Sequence, residues 1–336
     1  MSERVNIGVL GVGRIGRMHV RNLVTQVPEA RVVAVADIIE EAAHQVAAAN
    51  GVPDAYGDPR HVIERKDIDA VVICTSTDTH ATLIEQAAEA GKHVFCEKPL
   101  DLDLERIDRV LAKVAAAGVK LQVGFQRRFD PSFRRARDLI AEGKIGEPHI
   151  LRITSRDPAP PPIEYIKVSG GIFLDMTIHD FDMSRFLLGD EAEEIFAVGN
   201  VLVDPAIGEA GDIDTAIVTM RFRRGALATI DNSRRAVYGY DQRIEVFGSE
   251  GMVAVGNKTP DLALYADDAG VHTAKPVYFF IERYTEAYIE EMRAFVRSIV
   301  DDTPPPVTGE DGRRPVVMGY AAWQSFREGR PVKINL

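Results

Sequence analysis

The segment Gly11-Val12-Gly13-Arg14-Ile15-Gly16 directly follows an apolar run, Val5 to Leu10, and opens a helical stretch toward Leu23. A G-x-G-x-x-G in that setting constrains the chain more than any other feature, because it requires a strand, a tight turn and a helix in immediate succession. Gly11 permits the turn, Gly13 lets a pyrophosphate approach the backbone, and Gly16 lets helix and strand pack closely; the helix N-terminus adds N–H donors and positive potential. The bare motif fits equally a glycine-rich turn that binds nothing, and the next strand tips the balance. That strand ends at Asp37, about 20 residues beyond the last glycine, where a carboxylate accepts hydrogen bonds from the adenosine ribose hydroxyls. Ile38 and Ile39 follow, with no adjacent Arg or Lys to receive a 2′-phosphate, so the sequence predicts NAD rather than NADP.

From residue 5 to about 125, short β-branched runs alternate with alanine-rich helical stretches. Strands are expected at Val5 to Leu10, Arg31 to Ala36, Ala70 to Cys74, His93 to Cys96 and Lys120 to Val123, with helices including Glu40 to Asn50, Ala81 to Ala90 and Leu104 to Ala117. Gly51, Gly91 and Gly118 stand where those helices should stop. This rhythm predicts a Rossmann-type, doubly wound parallel sheet. After Gly124 the texture changes to a basic helical segment from about Pro131 to Glu142, a strand near His149 to Thr154 and a proline-rich loop at Asp157 to Pro162. Longer strands then follow, among them Thr215 to Phe222, Ala226 to Asp231, Arg243 to Phe247 and Met252 to Val255. The expected fold class is therefore α/β: residues 1–124 as a dinucleotide-binding domain, and residues 125–336 as an α+β domain with a large, mainly antiparallel open sheet. The helices at about Tyr284 to Ile299 and Val316 to Phe326 are left without an assigned parent domain.

Composition narrows the partners. With 40 Lys and Arg against 51 Asp and Glu the formal charge is −11, which disfavours nucleic acid and anionic membranes. No apolar run approaches the roughly 20 residues of a bilayer span, and the N-terminal residues lack a signal-peptide core. The two cysteines, Cys74 and Cys96, form neither a disulfide framework nor a zinc-type spacing. A cytoplasmic protein acting on a small molecule is expected.

Two further clusters stand at predicted strand ends, where an open parallel sheet places its ligand crevice: Cys74-Thr75-Ser76-Thr77-Asp78-Thr79-His80 and Cys96-Glu97-Lys98-Pro99. Taken alone, Glu97-Lys98-Pro99 also reads as a surface ion pair before a helix. In the second domain, the segment from Gly170-Gly171 to Asp182 sets Asp175 and His179 four residues apart, a spacing that stacks them on one helical face. An ordinary helix-surface pair is the plain alternative, and a metal site lacks a third ligand at short spacing.

With these residues in view, the whole chain resembles the oxidoreductase family named after glucose-fructose oxidoreductase and inositol dehydrogenase. The resemblance rests on the glycine fingerprint, Glu97-Lys98-Pro99, Gly170-Gly171 with Asp175 and His179, and the change from βαβ units to an open sheet. Ser155-Arg156-Asp157-Pro158, Thr177 to Met183 and Tyr238 to Arg243 look like the inositol-oxidising bacterial members. The resemblance implies NAD-dependent oxidation of myo-inositol to the 2-keto inositol, with a related cyclitol or an aldose as the nearest alternative substrate. It implies catalytic roles for Lys98, Asp175 and His179: Lys98 holds the reacting oxygen, and His179, oriented by Asp175, takes the hydroxyl proton. The implied cofactor-binding set is Gly11, Gly13, Arg14, Ile15, Gly16, Asp37, Ser76, His80, Glu97 and Lys98, with no metal. Arg127, Asp157, Tyr238 and Tyr240, beside the catalytic trio, would line the polyol pocket. Against this, Tyr238 and Tyr240 also read as strand-face packing, and Arg127 with Arg128, Arg134 and Arg135 as a solvated basic face. The resemblance further implies a homotetramer built through the open sheet. A non-catalytic NAD-binding regulatory protein stays open as a different class, although a base, its orienting acid and a cationic oxygen-binder together favour an enzyme. His19 has no partner legible in the sequence.

Overall fold

The computed structural model describes residues 4–335. The chain gathers into two compact units, one made of the chain up to Phe129 together with Glu286–Arg314, the other of Asp130–Thr285 and the segment from Pro315 onward. The C-terminal helical region, left unassigned on sequence, is thus divided at Arg314.

In the first unit β1 (Val5–Leu10), β2 (Ala30–Ala36), β3 (Asp54–Tyr56), β4 (Ala70–Ile73), β5 (His93–Glu97) and β6 (Leu121–Gly124) form a parallel sheet ordered β3-β2-β1-β4-β5-β6. This is the strand order of a dinucleotide-binding Rossmann sheet, with its switch point between β1 and β4. All four residues of β4 are buried, as are all of β1 except Asn6, because helices cover both faces of the sheet. Ile7, Val9, Val72 and Phe95 meet Phe295 of the helix Thr285–Val300 in this core. The helices Glu40–Asn50 and Leu104–Ala117 stop at Gly51 and Gly118, both left-handed. The three-residue β3 was not expected; a half-buried strand of that length carries too little alternation to read.

In the second unit β7 (Pro148–Arg156), β8 (Ala192–Asn200), β9 (Thr215–Phe222), β10 (Leu227–Ser233), β11 (Asp241–Gly248), β12 (Met252–Val255) and, after a small hairpin of β13 (Leu264–Asp267) and β14 (Gly270–Thr273), β15 (Val332–Lys333) supply the strands. The large sheet runs β12-β11-β7-β10-β9-β8-β15, antiparallel throughout except where β10 pairs with β7. Its strands alternate: Ala216, Val218, Met220 and Phe222 of β9 point inward, while Ile217, Thr219 and Arg221 are exposed. The inner face packs on the helix Ile178–Leu188. The outer face carries Ile150, Val198, Ile217, Leu227 and Phe247, each more than a third exposed.

One helix is longer than expected. It runs Gly309–Glu328 rather than from Val316, passing through Pro315. Thr308 and Asp311 bond reciprocally at its start, the Thr308 amide to Asp311 Oδ2 at 3.0 Å and the Asp311 amide to Thr308 Oγ1 at 3.3 Å, the pattern of a capping box.

Candidate active site

The first unit builds its site at the C-terminal ends of β1, β2, β4 and β5. Gly11 has φ +84°, and a Cβ there would lie 2.7 Å from Cys74 O. A Cβ on Gly16 would come 1.9 Å from Gly11 O, so strand and helix close on each other only with glycine at both places. Gly13 differs: a Cβ there would meet nothing within 4 Å, which leaves open the space that a pyrophosphate needs. Gly13 is also the N-cap of the helix Arg14–Gln26, and no side chain caps it, so the helix start is suited to a phosphate group. Asp37 receives the Val12 amide on Oδ2 at 2.8 Å and the Ile39 amide on Oδ1 at 2.9 Å. Its carboxylate is thereby fixed beside the glycine turn with acceptor capacity left for ribose hydroxyls. Ile38, next to it, is 92% exposed and brings no cation for a 2′-phosphate. These residues fit NAD.

Ser76 is the N-cap of the helix Thr77–Glu89. His80 is buried, with Nδ1 2.8 Å from Pro99 O and Nε2 3.1 Å from Thr75 O, so it ties the loop after β4 to the loop that carries Lys98. Glu97 ends β5, and its Oε1 lies 2.8 Å from Nε2 of His19, on the glycine-turn helix. His19 Nε2 also lies 3.9 Å from Oε1 of Glu291, on the helix Thr285–Val300. Glu291 is 0% exposed and neither carboxyl oxygen has a hydrogen-bond partner. Burial, then the charge of Glu97, push its pKa well above the usual carboxyl range. His19 therefore bonds Glu97 and faces Glu291, two carboxyl groups that the sequence did not reveal. Arg127 sits in the turn Gln126–Phe129 and is only 4% exposed, so the expectation of a solvated face fails for it. Arg128 pairs with Asp311 at 3.0 Å, whereas Arg134 and Arg135 are exposed.

In the second unit the structure corrects one expectation. Asp175 and His179 do not share a helix: Asp175 ends the short helix Ile172–Asp175, and His179 belongs to Ile178–Leu188. The break lies at Met176 and Thr177. The Thr177 amide reaches back five residues to Ile172 O at 2.9 Å, and Thr177 Oγ1 bonds Ile172 O at 3.2 Å and Asn232 Oδ1 at 2.5 Å. A side chain that competes for backbone partners in this way interrupts the regular ladder. Asn232 of β10 also donates to Asp180 Oδ2 at 2.8 Å, tying this turn to the sheet.

Gly170 and Gly171 have a structural reason. Gly171 has φ +78°, and a Cβ there would lie 2.5 Å from the Trp323 ring and 2.8 Å from Asp212 Oδ1. Asp212 accepts the Ile172 amide at 2.9 Å, and Trp323 Nε1 donates to Gly170 O at 3.1 Å. Asp175 in turn receives Tyr165 Oη at 2.8 Å and Arg234 Nη1 at 3.2 Å. Asp157 follows β7; its backbone pairs with Ser233 and Ala236, and its charge acts on both Arg234 and Tyr165. Asp157 and Asp175 therefore belong to one region of this unit, and His179 follows Asp175 by four residues.

The two tyrosines do not behave alike. Tyr240 is buried, edge-on to Tyr284 at 6.1 Å. Tyr238 donates to Asp241 Oδ2 at 2.5 Å and accepts from Arg156 Nη1 at 3.1 Å. It lines an open cavity of about 610 Å³ with Arg156, Thr215, Asp231 and Ser233 that holds no other candidate site residue. Sequence reasoning missed Arg234, Asp212, Tyr165 and Asn232. A signal existed for two of them, since the inward parity of Ala228 and Ile230 continues through Asn232 to Arg234.

A Rossmann sheet with this glycine turn and a carboxylate fixed beside it, joined to a second unit holding an acid and an imidazole, defines the class: a dinucleotide-dependent oxidoreductase. Residues 5–125 match the oxidoreductase family's NAD-binding Rossmann fold, and residues 133–254 match the GFO/IDH/MocA C-terminal domain. The chain belongs to the GFO/IDH/MocA oxidoreductase family. It is 51% identical over 331 residues to a Thermotoga maritima myo-inositol 2-dehydrogenase, covering 98% of this chain and 99% of that one. It is 40% identical over 341 residues to a Bacillus subtilis scyllo-inositol 2-dehydrogenase (NAD⁺), covering 100% of this chain and 98% of the relative. The crystal structure of myo-inositol dehydrogenase from Lactobacillus casei in complex with NAD(H) and myo-inositol superposes with TM-score 0.89 at 28% identity, covering 99% and 97% of the two chains.

Proposed function

We propose that this protein oxidises myo-inositol at one ring hydroxyl to the 2-keto inositol, with NAD as oxidant. The observation that carries the reading is 51% identity to a myo-inositol 2-dehydrogenase across 98% of the chain. Bound NAD supplies the hydride acceptor. Gly11, Gly13 and Gly16, with Arg14 and Ile15, hold its pyrophosphate, Asp37 its ribose, and Ser76, His80 and Glu97 shape the nicotinamide side. Lys98 donates to the reacting oxygen and stabilises developing alkoxide charge. His179 takes the hydroxyl proton, while Asp175 fixes its tautomer and stabilises the imidazolium. Among the polyol-pocket residues Asp157 has the strongest support, since its charge acts on Arg234 and Tyr165 beside Asp175. Tyr240 offers ring surface, Arg127 a buried donor, and Tyr238 a hydroxyl that would first have to leave Asp241. The first unit acts as the NAD-binding domain and the second as the substrate-binding domain, which also builds a homotetramer through the exposed apolar face of its sheet. A cytoplasmic location accords with two free cysteines and, among the described residues, no helix long and apolar enough to cross a membrane.

A second reading, preference for the scyllo isomer, draws on the 40% identical relative. The test is NADH formation with myo-inositol, scyllo-inositol, D-chiro-inositol, glucose and glucose 6-phosphate in parallel, each repeated with NADP. Myo-inositol with NAD should give the highest kcat/KM, and Asp37→Ser with Ile38→Arg should move preference toward NADP. Turnover of glucose or its phosphate without turnover of any inositol overturns the substrate.

A further inference from the structure

Arg234 is among the largest fully buried side chains of the protein, 1% exposed. A guanidinium withdrawn from water this far is unfavourable by several kcal/mol unless it is paired and hydrogen-bonded. Its Nη1 donates to Asp175 Oδ2 at 3.2 Å and its Nη2 to Asp212 Oδ2 at 3.3 Å. Asp212 is itself held by the Ile172 amide, at the first residue of the short helix that ends in Asp175. The contacts therefore close a ring: Asp175 to Arg234, Arg234 to Asp212, Asp212 to Ile172, and the helix back to Asp175. On its other oxygen Asp175 receives the Tyr165 hydroxyl at 2.8 Å. Desolvation and the Asp175 charge push that phenol above its ordinary range, so it remains a donor.

We propose that Arg234 is a positioning residue for the reaction: anchored on Asp212, it holds the Asp175 carboxylate in one orientation and keeps it ionised for His179. The inference rests on the roles given above to Asp175 and His179. A carboxylate that already accepts from a guanidinium and a phenol is a poor proton acceptor, so the proton drawn from the substrate hydroxyl stays on His179 and returns to solvent from there. The charged and titratable groups of this unit around Asp175 include Tyr165 from the helix Ile163–Ile166 and Arg234 beyond β10, which bond it, and Asp157 from the loop after β7 and Asp212 from the turn before β9, which act on Arg234. On the helix of His179 itself, Asp180 is engaged by Asn232. Without Arg234, the charges of Asp157 and Asp212 act on the Asp175–His179 pair with its guanidinium no longer there to offset them. The imidazolium form of His179 then gains stability, and the free base that the reaction needs is populated only at higher pH.

The test uses the full-length protein with myo-inositol and NAD, following kcat/KM against pH in Tyr165→Phe, Arg234→Gln, Arg234→Lys and His179→Ala. The acid limb should move to higher pH in Arg234→Gln by about one unit, and in the same direction but less in Tyr165→Phe. NAD affinity should stay unchanged in both, and Arg234→Lys should bring the limb back toward wild type. Tyr165→Phe removes a single hydroxyl from a partly exposed ring, so it carries the test if Arg234→Gln fails to fold. A wild-type acid limb in folded Arg234→Gln and Tyr165→Phe, with His179→Ala inactive, overturns the positioning role alone. Full turnover by His179→Ala overturns that role together with the function beneath it.

Discussion

The two sheets of this protein are covered to different extents. The parallel sheet is buried on both faces, so the interiors of β1 and β4 hold packing residues and the candidate site residues stand at strand ends: the glycine turn, Asp37, Ser76, Glu97 and Lys98. The antiparallel sheet is covered on one face only. Its inner positions are free to carry polar groups such as Ser155, Asn232 and Gln242, while its outer face shows apolar side chains among Arg–Asp pairs such as Arg156 with Asp231 at 2.7 Å. A sheet wrapped by helices concentrates function at its edge, and a sheet with one bare face can serve chemistry on one side and association on the other.

That contrast can be tested at three strengths. The largest effect is expected where the inner side meets the chemistry: His179→Ala should lower kcat by about 10²–10⁴-fold with NAD affinity unchanged, measured by steady-state turnover and by cofactor titration. A loss of NAD binding instead would erase the division of labour between the units. Next, Ile7→Ala, in the doubly covered sheet, should destabilise by about 2–5 kcal/mol in denaturant unfolding. The smallest effect should come from Ile217→Ala on the bare face, within about 0.5 kcal/mol for a surface site in dilute protein. At concentrations where the proposed tetramer forms the cost should grow, because a second copy then covers the face; a cost that does not change with concentration overturns association through it. Ile217→Asp should then lower the mass seen by light scattering without changing the fold.

Legibility in the sequence followed the same contrast. Strands buried on both faces read as apolar runs, and those of the open sheet as alternation; Thr215 to Phe222 and Met252 to Val255 were found at their observed limits. The start of the last helix was missed because Gly309, Gly312 and Pro315 all read as breakers. Gly312 packs closely there, since a Cβ would come 2.9 Å from the side chains of Leu100 and Val123. In the candidate site, the residues announced by local spacing were visible: the glycines, Asp37, Asp175 and His179. Those joined only by long-range contacts were not. His19 and Glu291 stand 272 positions apart in the sequence, and Arg234 reaches Asp175 across 59 residues, separations at which spacing carries no information. The inference of a single helix through Asp175 and His179 failed because it overlooked the hydroxyl of Thr177 as a competitor for backbone carbonyls.

Glu291 makes folding a proton-uptake reaction. In the unfolded chain its carboxyl ionises in the ordinary range; in the native state burial, then the charge of Glu97, push its pKa well above that range. Between the two values the native state binds the extra proton. The stability contributed here is thus fully present below the ordinary carboxyl range and is lost as pH rises toward the native value. Glu291→Gln keeps the shape and removes the titration, so its melting temperature should vary less with pH and exceed that of the parent under alkaline conditions. Alkaline conditions are also those in which alcohol oxidation by NAD, which releases a proton, is driven forward. The unit that carries the cofactor turn therefore loses this contribution to its stability in the same direction of pH change that draws the reaction toward ketone.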